Sequence, residues 1–396
     1  MNRSDSDGIA SVFLQMGYLP ALNINQANLV IVNMCSVRQS AVDRVFGLAE
    51  KLKTINYKLQ TILTGCILKK DKQKFEKLFD YVLDIKTLPE WPKILKIRPR
   101  KALGKKSPEI SANVPIMTGC NNFCSYCVVP YVRGREISRP AKEIVFEIKK
   151  LVKNGTKEIW LLGQNVNSYK DKNIDFPKLL EMVNDIDGYF WIRFTSSHPK
   201  DFSNKLANAI AKLKKVSPYL NLPAQSGDDS ILKSMNRHYR IKDYKNIINN
   251  LRKKIPDISL STDIILGFPG ETKKQFKNTE KLFKSVRFDM AYINKYSTRA
   301  GTVASKLKDD VPIKEKKRRE AILTEILRKT ALEKNKKFIN KITKVLVESS
   351  DGTYLIGKTW HYKTVKFEGP KKLVGQFIDI KITDATSWGL TGEFLI

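Results

Sequence analysis

The stretch VPIMTGCNNFCSYC, Val114 to Cys127, joins a short apolar strand pattern to three cysteines. Cys120, Cys124 and Cys127 follow a Cys-x3-Cys-x2-Cys spacing, and so short a loop keeps them together beyond the strand's carboxyl end. An iron–sulfur cube usually takes four thiolates, and a tetrahedral zinc ion takes four ligands. Three cysteines therefore leave one position to be filled. On a cube, the open iron can bind a small molecule. On zinc, the fourth ligand would come from elsewhere in the chain, and His198 in SSHP is the candidate.

Five more strand patterns follow: EIWLLGQN (158–165), FWIRFTSS (190–197), YLNLPAQS (219–226), SLSTDIILGF (259–268) and DMAYINKYS (289–297). Amphipathic helix patterns separate them, among them AKEIVFEIKKLVKNG (141–155), NKLANAIAKLKK (204–215) and TKKQFKNTEKLFKSV (272–286). Six such units predict an α/β fold, a partial (β/α)6 barrel over residues 112–335. Polar or glycine-rich sequence follows each strand: GCNNFC, GQNVN, SSHP, AQSG, GFPGE and YSTRAG. That edge of a βα-barrel carries the active site.

Residues 1–95 read as a smaller, Rossmann-like α/β unit. A helix (Asp5 to Met16) precedes the strand NLVIVNMC, the helix SAVDRVFGLAEKLK, the strand LQTILTGC and the helix KKDKQKFEKLFD. Cys35 and Cys66 end the two strands. Both should emerge at one carboxyl edge of a parallel sheet, where open α/β folds bind ligands. Two buried structural cysteines are the other reading. KIRPRKALGKKSPEI (96–110) reads as a linker. A charged helix, KEKKRREAILTEILRKTALEKNKKF, leads into residues 336–396. Five short alternating strands there predict a small antiparallel β-barrel of the oligonucleotide-binding kind.

Lys and Arg number 72 against 40 Asp and Glu, a net charge of +32. That excess favours a polyanionic partner, nucleic acid first; a lysine-rich compositional bias is the alternative. No apolar run is long enough to span a bilayer. The opening MNRSDSDGIA is too polar for a secretory signal. A cytoplasmic protein without a membrane partner is expected. An odd count of five cysteines argues against a disulfide framework.

The triple cysteine after the first of six βα units resembles the radical S-adenosylmethionine superfamily. CNNFCSYCVVPYVRGREISRP, LLGQNVNSY, IRFTSSHPKDF, LPAQSGDDSILKSMNR and STDIILGFPGETKKQF are similar to its methylthiotransferases. NMCSVRQSAVDRV and GCILKKD resemble their N-terminal domain, and KTVKFEGPKKLVGQFIDIKITDATSWGLTGEFL resembles their C-terminal TRAM domain. Within the family the chain looks most like the branch that modifies dimethylallyladenosine in tRNA. The resemblance implies a 4Fe-4S cluster on Cys120, Cys124 and Cys127, with S-adenosylmethionine on the open iron. It implies a 5′-deoxyadenosyl radical that removes the C2 hydrogen of the adenine beside the anticodon. A second S-adenosylmethionine would methylate a sulfur held at an auxiliary 4Fe-4S cluster.

The family holds that auxiliary cluster on three N-terminal cysteines, of which only Cys35 and Cys66 stand in this chain. The opening MNRSDSDGIASVFLQMGY starts just past the first of the three, so the first strand is missing. The expectation is a protein extended upstream by a strand and a cysteine. The rivals are a two-thiolate cluster or none. Implied partners are the tRNA anticodon loop and an electron donor such as flavodoxin or ferredoxin, with the protein a monomer. Alternatives are the threonylcarbamoyl-adenosine branch, the ribosomal-protein aspartate branch, or a tRNA-binding protein that transfers no sulfur.

Other loop residues are candidates beside these. The resemblance places Tyr126 near the cofactor's adenine, unless it is a plain core aromatic. Gln164 and Asn165 suit the methionine end; Gln225, Ser226 and Asp263 suit cofactor or substrate contact, unless they are loop or cap residues. Arg133, Arg135 and Arg139 suit phosphates, or form a solvated turn. Lys358, Trp360, His361, Tyr362 and Lys363 interleave bases with aromatics, which suits unpaired RNA. Some of those aromatics should instead fill the small barrel's core.

Overall fold

A computed structural model describes residues 1–36, 39–55, 59–97 and 109–395. The residues group into two compact units: Met1–Ser107 with Gly119–Glu136 and Ser297–Lys306, and the remainder from Pro108 to Ile396. Most of the expected linker lies outside the described residues.

In the first unit, strands Leu29–Cys35, Gln60–Cys66 and Tyr81–Val82 form a parallel sheet in sequence order. The third has two residues, too few for a readable alternation. Helix Gln39–Ile55 buries Val42, Val45, Ala49 and Leu52, a stripe with the three-to-four spacing of one helical face. With Met34, Leu63 and Phe75 they form one apolar cluster. The pairing register sets Cys35 directly opposite Cys66. Gly65 makes that closeness possible: its φ is +99°, and a Cβ there would lie 2.3 Å from the Met34 carbonyl oxygen.

In the second unit six parallel strands run Ser111–Pro115, Glu158–Leu162, Trp191–Phe194, Tyr219–Asn221, Ser259–Leu266 and Met290–Lys295. The first three pair side by side, as do the last three. Ile192 of the first sheet also makes an isolated parallel bridge to Val216, which precedes the Tyr219–Asn221 strand. The first strand begins at Ser111, ahead of the predicted pattern, and Met117–Thr118 leave it to pair antiparallel with Ile137–Ser138. Helices cover the strands with apolar faces. Lys273–Val286 starts on a Thr272/Gln275 capping box and buries Phe276, Leu282, Phe283 and Val286.

The last five strands, Ile342–Asp351, Tyr354–Thr359, Thr364–Glu368, Phe377–Ala385 and Leu390–Phe394, close into a barrel. The expected all-antiparallel pairing is corrected at one seam, where Val365 and Lys366 pair in parallel with Leu390 and Thr391. Directions cannot alternate all the way round a ring with an odd number of strands, so one parallel pair is forced.

A buried arginine joins the two barrels. Arg193, on the third strand of the larger one, forms an ion pair with Glu158 and a hydrogen bond with Ser217. It donates to the Trp360 and Thr359 carbonyls of the smaller barrel at 3.0 and 2.8 Å. The Trp191 and Tyr362 rings lie 5.1 and 4.9 Å from its guanidinium carbon. Nearby, Asp289 accepts from Lys334 and Lys363, each at 2.6 Å. Removing one member strands the other charge in a dry site. Arg193→Met should lower unfolding stability by about 3–5 kcal/mol in a denaturant melt. Arg193→Lys should recover only part of it, because an ammonium lacks the planar fork.

Candidate functional site

The cysteine loop is a tight turn held by its own backbone. Gly119 has a φ of +78°, and a Cβ there would lie 2.0 Å from the Arg135 carbonyl oxygen. Cys120 N–H donates to the Gly134 carbonyl at 3.2 Å, and Cys127 N–H to the Cys124 carbonyl at 2.9 Å. Phe123 takes a left-handed φ of 47° between the first two cysteines. Cys124 is buried; Cys120, Tyr126 and Cys127 are half-buried. Burial pushes the Cys120 thiol up, opposed by hydrogen bonds from Asn122. Ala304 N–H donates to the Ser125 carbonyl at 2.7 Å, tying in the segment after the last barrel strand.

The same unit carries the other two cysteines. Arg133, six residues past Cys127, donates from Nε to Cys66 Sγ at 3.0 Å. Its Nη2 reaches Asn2 Oδ1 at 3.2 Å and forms an ion pair with Asp5. Burial works against its charge, yet Asp5 and Cys66 hold its pKa above the ordinary value. Burial pushes the Cys66 thiol up, and the Arg133 charge opposes this.

In the second unit, polar residues gather where the barrel strands end. Asn165 donates from Nδ2 to Asp201 at 2.7 Å, and Asn167 from Nδ2 to the His198 carbonyl at 3.3 Å. Gln225, at a left-handed φ of 65°, donates its N–H to the Asp263 carbonyl at 2.8 Å. Ser226 Oγ accepts from Asp228 N–H at 3.2 Å. The amide oxygens of Gln164, Asn165 and Asn167, with Ser197 Oγ and His198 Nε2, are buried without a partner. His198 Nδ1 accepts from Lys200 N–H at 3.2 Å, and burial drops its pKa to about 2. His198 therefore acts as a neutral turn cap. Among the described residues, no three His, Cys, Asp or Glu side chains stand close enough to grip a single metal ion.

Comparison with known proteins gives these loops a context. The radical SAM superfamily profile matches residues 114–283, the TRAM domain profile residues 336–395, and the uncharacterized protein family UPF0004 residues 1–85. A Clostridium botulinum tRNA-2-methylthio-N(6)-dimethylallyladenosine synthase is 41% identical over 425 residues, covering 99% of this chain and 94% of that protein. The synthase of the same name from Clostridium novyi is 43% identical, covering 100% and 94%. The chain belongs to the radical S-adenosylmethionine methylthiotransferase family. A solved radical S-adenosylmethionine methyltransferase, TsrM from Kitasatospora setae, aligns over 76% of this chain and 68% of its own, with a TM-score of 0.53. At 13% identity that likeness shows the fold alone.

The residues fit what the family binds. Three thiols on one short loop match the ligands of a 4Fe-4S cluster that keeps one iron open. The unpartnered amide oxygens of Gln164, Asn165 and Asn167 at the strand ends match a ligand with N–H donors, as the amino end of S-adenosylmethionine has. Cys35 and Cys66 stand side by side, two of the three thiols on which the family holds its auxiliary cluster.

Most of the expected RNA contacts lie elsewhere. Arg133 is buried against Cys66. Arg139 donates to the Pro115 carbonyl at 2.6 Å and pairs with Glu147 at 2.7 Å, bracing the first strand. Lys363 is buried on Asp289, and Trp360 packs on Trp191 with ring centroids 5.2 Å apart. Lys358 is half-buried and donates to Thr364 Oγ1 at 2.6 Å. Arg135 alone of the set is exposed, over the Phe123 ring. Sequence reasoning missed Arg193 and Arg299, although an arginine inside the apolar pattern FWIRF signals a buried partner. Replacing any one of Cys120, Cys124 or Cys127 by Ala should remove about four irons per chain after anaerobic reconstitution. 5′-Deoxyadenosine formation from S-adenosylmethionine should fall to background in the same samples.

Proposed function

We propose that the chain converts N6-dimethylallyladenosine beside the tRNA anticodon to its 2-methylthio derivative. The observation that carries this is 41–43% identity to synthases of that name over nearly the whole chain. When bound, the cluster on Cys120, Cys124 and Cys127 supplies the electron that cleaves S-adenosylmethionine. The loop would hold it between the buried Cys124 and the half-buried Cys120 and Cys127. Gln164 and Asn165 orient the methionine end, with Tyr126, Gln225, Ser226 and Asp263 as further contacts. Cys35 and Cys66 hold the sulfur-carrying cluster. Functionally the chain divides into 1–95, 112–335 and 336–396.

A basic cleft supports the tRNA partner. It encloses about 480 Å³ between barrel residues Arg252 and Arg287, helix residues Lys334 and Lys337, and Lys341 and Lys363 beyond. Its acids are accounted for: Asp289 by Lys334 and Lys363, Asp257 by His361. Lys337 and Lys341 are exposed, placed for phosphate oxygens, which fix register without reading sequence. The anticodon loop is single-stranded, so its base can be splayed out without opening a duplex. No described helix is long and apolar enough to cross a membrane. A monomeric, cytoplasmic enzyme served by a flavodoxin or ferredoxin suits this reading.

Expressed in a bacterium lacking its own synthase, the chain should restore 2-methylthio-N6-dimethylallyladenosine in digested tRNA, read by nucleoside mass spectrometry. A methylthio mark on threonylcarbamoyl-adenosine, or none, would contradict the proposal. The pair Lys337→Glu and Lys341→Glu should weaken tRNA binding and flatten its salt dependence by about one unit of log–log slope per lost contact.

A further inference from the structure

The basic cleft of the second unit lies at the end of the barrel remote from its polar loops. Pro256, Asp257 and Ile258 precede the strand Ser259–Leu266, and Arg287 and Asp289 precede the strand Met290–Lys295. Arg252 and Lys334 come from the last turns of helices Ile241–Lys254 and Ile313–Lys336. The cleft therefore opens where the barrel strands begin. AQSG and GFPGE follow the strands at the opposite edge, where a βα-barrel places its reactive centre. Ser259–Leu266 has eight residues, which sets the two edges about 23 Å apart at ~3.3 Å per residue. Backbone held in the cleft is thus not the backbone of the nucleotide at the reacting edge.

The lining says which form of RNA it suits. Arg252 donates to the Val286 carbonyl, Arg287 pairs with Glu333, and Lys334 and Lys363 share Asp289. Lys337 and Lys341 are exposed. Cations in the last turn of a helix also offset its carbonyl dipoles, an effect that fades within that turn. Lys341 lies five residues past the helix end and falls outside that explanation. The aromatic rings of the lining, Phe338 and His361, are engaged within the protein. Phe338 packs on the small barrel's core and meets His361 edge to face, with centroids 5.8 Å apart. His361 Nε2 bonds to Asp257 at 2.8 Å. Unpaired RNA is gripped by cations together with aromatic rings on which bases stack. Paired RNA is gripped through its phosphates and 2′-hydroxyls. A cleft with lysines and no ring free for stacking suits the second.

We propose that this cleft holds the sugar–phosphate backbone of paired RNA, the stem of the tRNA arm whose loop enters the opposite edge of the barrel. The proposal rests on the tRNA reading and deepens it by naming the part of the molecule that the cleft takes. The arm would lie along the barrel wall, with its loop at the carboxyl ends of the strands and its stem at their amino ends.

The test measures binding of the full chain to dye-labelled RNA by fluorescence anisotropy. One probe is the anticodon stem as a two-stranded duplex without its loop; the other is the loop sequence as a linear single strand. Exposed charges are screened over about 8 Å at 0.15 M salt, so a charge change in the cleft does not reach RNA held at the other edge. The pair Lys337→Glu and Lys341→Glu should weaken duplex binding several-fold and lower its log–log salt slope by about two units. Binding of the linear loop should stay as in the parent. Lys337→Gln with Lys341→Gln should show the same pattern more weakly, and carries the comparison if the glutamate pair misfolds. Parent-like duplex binding in the folded variants overturns the proposal, as does a loss confined to the linear loop. Either result leaves the methylthiotransferase reading standing, since nucleoside analysis of the complemented cells tests that separately. A parent chain that binds no duplex also overturns the proposal.

Discussion

Parallel strands linked by helices end on the same side, and this constraint governs where the chemistry of the chain can lie. In the N-terminal sheet it brings Cys35 opposite Cys66, the last residues of adjacent strands. In the larger barrel it collects Gln164, Asn165, Ser197 and Gln225 beyond the carboxyl ends of successive strands, while Asp263 lies within the fifth strand. The cysteine loop follows the first barrel strand in the chain for the same reason. Short loops at such an edge can carry strained or orphaned groups, because the strands behind them are locked by ladder hydrogen bonds. The left-handed residues Phe123, Ser196 and Gln225 all lie in these loops, with φ between 47° and 65°.

Buried arginines hold the loops and the barrels in place. Arg193 bonds to both barrels through Glu158 and two carbonyls of the smaller one. Arg319 donates to Glu271 Oε2 at 2.6 Å, while Gly267 N–H donates to the same oxygen at 2.7 Å, fixing the GFPGE turn. Arg133 joins Cys66, Asn2 and Asp5. The guanidinium suits this use, since it stays charged and offers several fixed donors at once.

Much of this was legible in the amino-acid order because it is local. An apolar run followed by a polar, glycine-bearing loop marks a strand end, and all six barrel strands carry that mark. The loop that carries Cys120, Cys124 and Cys127 was legible from spacing. Long-range partners were not. Arg133 meets Cys66 across 67 residues, and Lys363 meets Asp289 across 74. Basic residues interleaved with aromatics read equally well as an RNA face or as a joint, since both need amphipathic side chains. The run from Lys358 to Lys363 is a joint because Trp191, Arg193 and Asp289 present complementary surface from the other barrel. Tyr81–Val82 was too short to announce itself, and the parallel seam of the small barrel follows from closure, which no single segment encodes.

The account turns on whether this chain draws the C2 hydrogen from its adenosine. Reconstituted protein, reductant and S-adenosylmethionine would be incubated anaerobically with tRNA bearing C2-deuterated dimethylallyladenosine, and the 5′-deoxyadenosine weighed by mass spectrometry. The account predicts one deuterium in that product. 5′-Deoxyadenosine that stays unlabelled while the tRNA is present would contradict it.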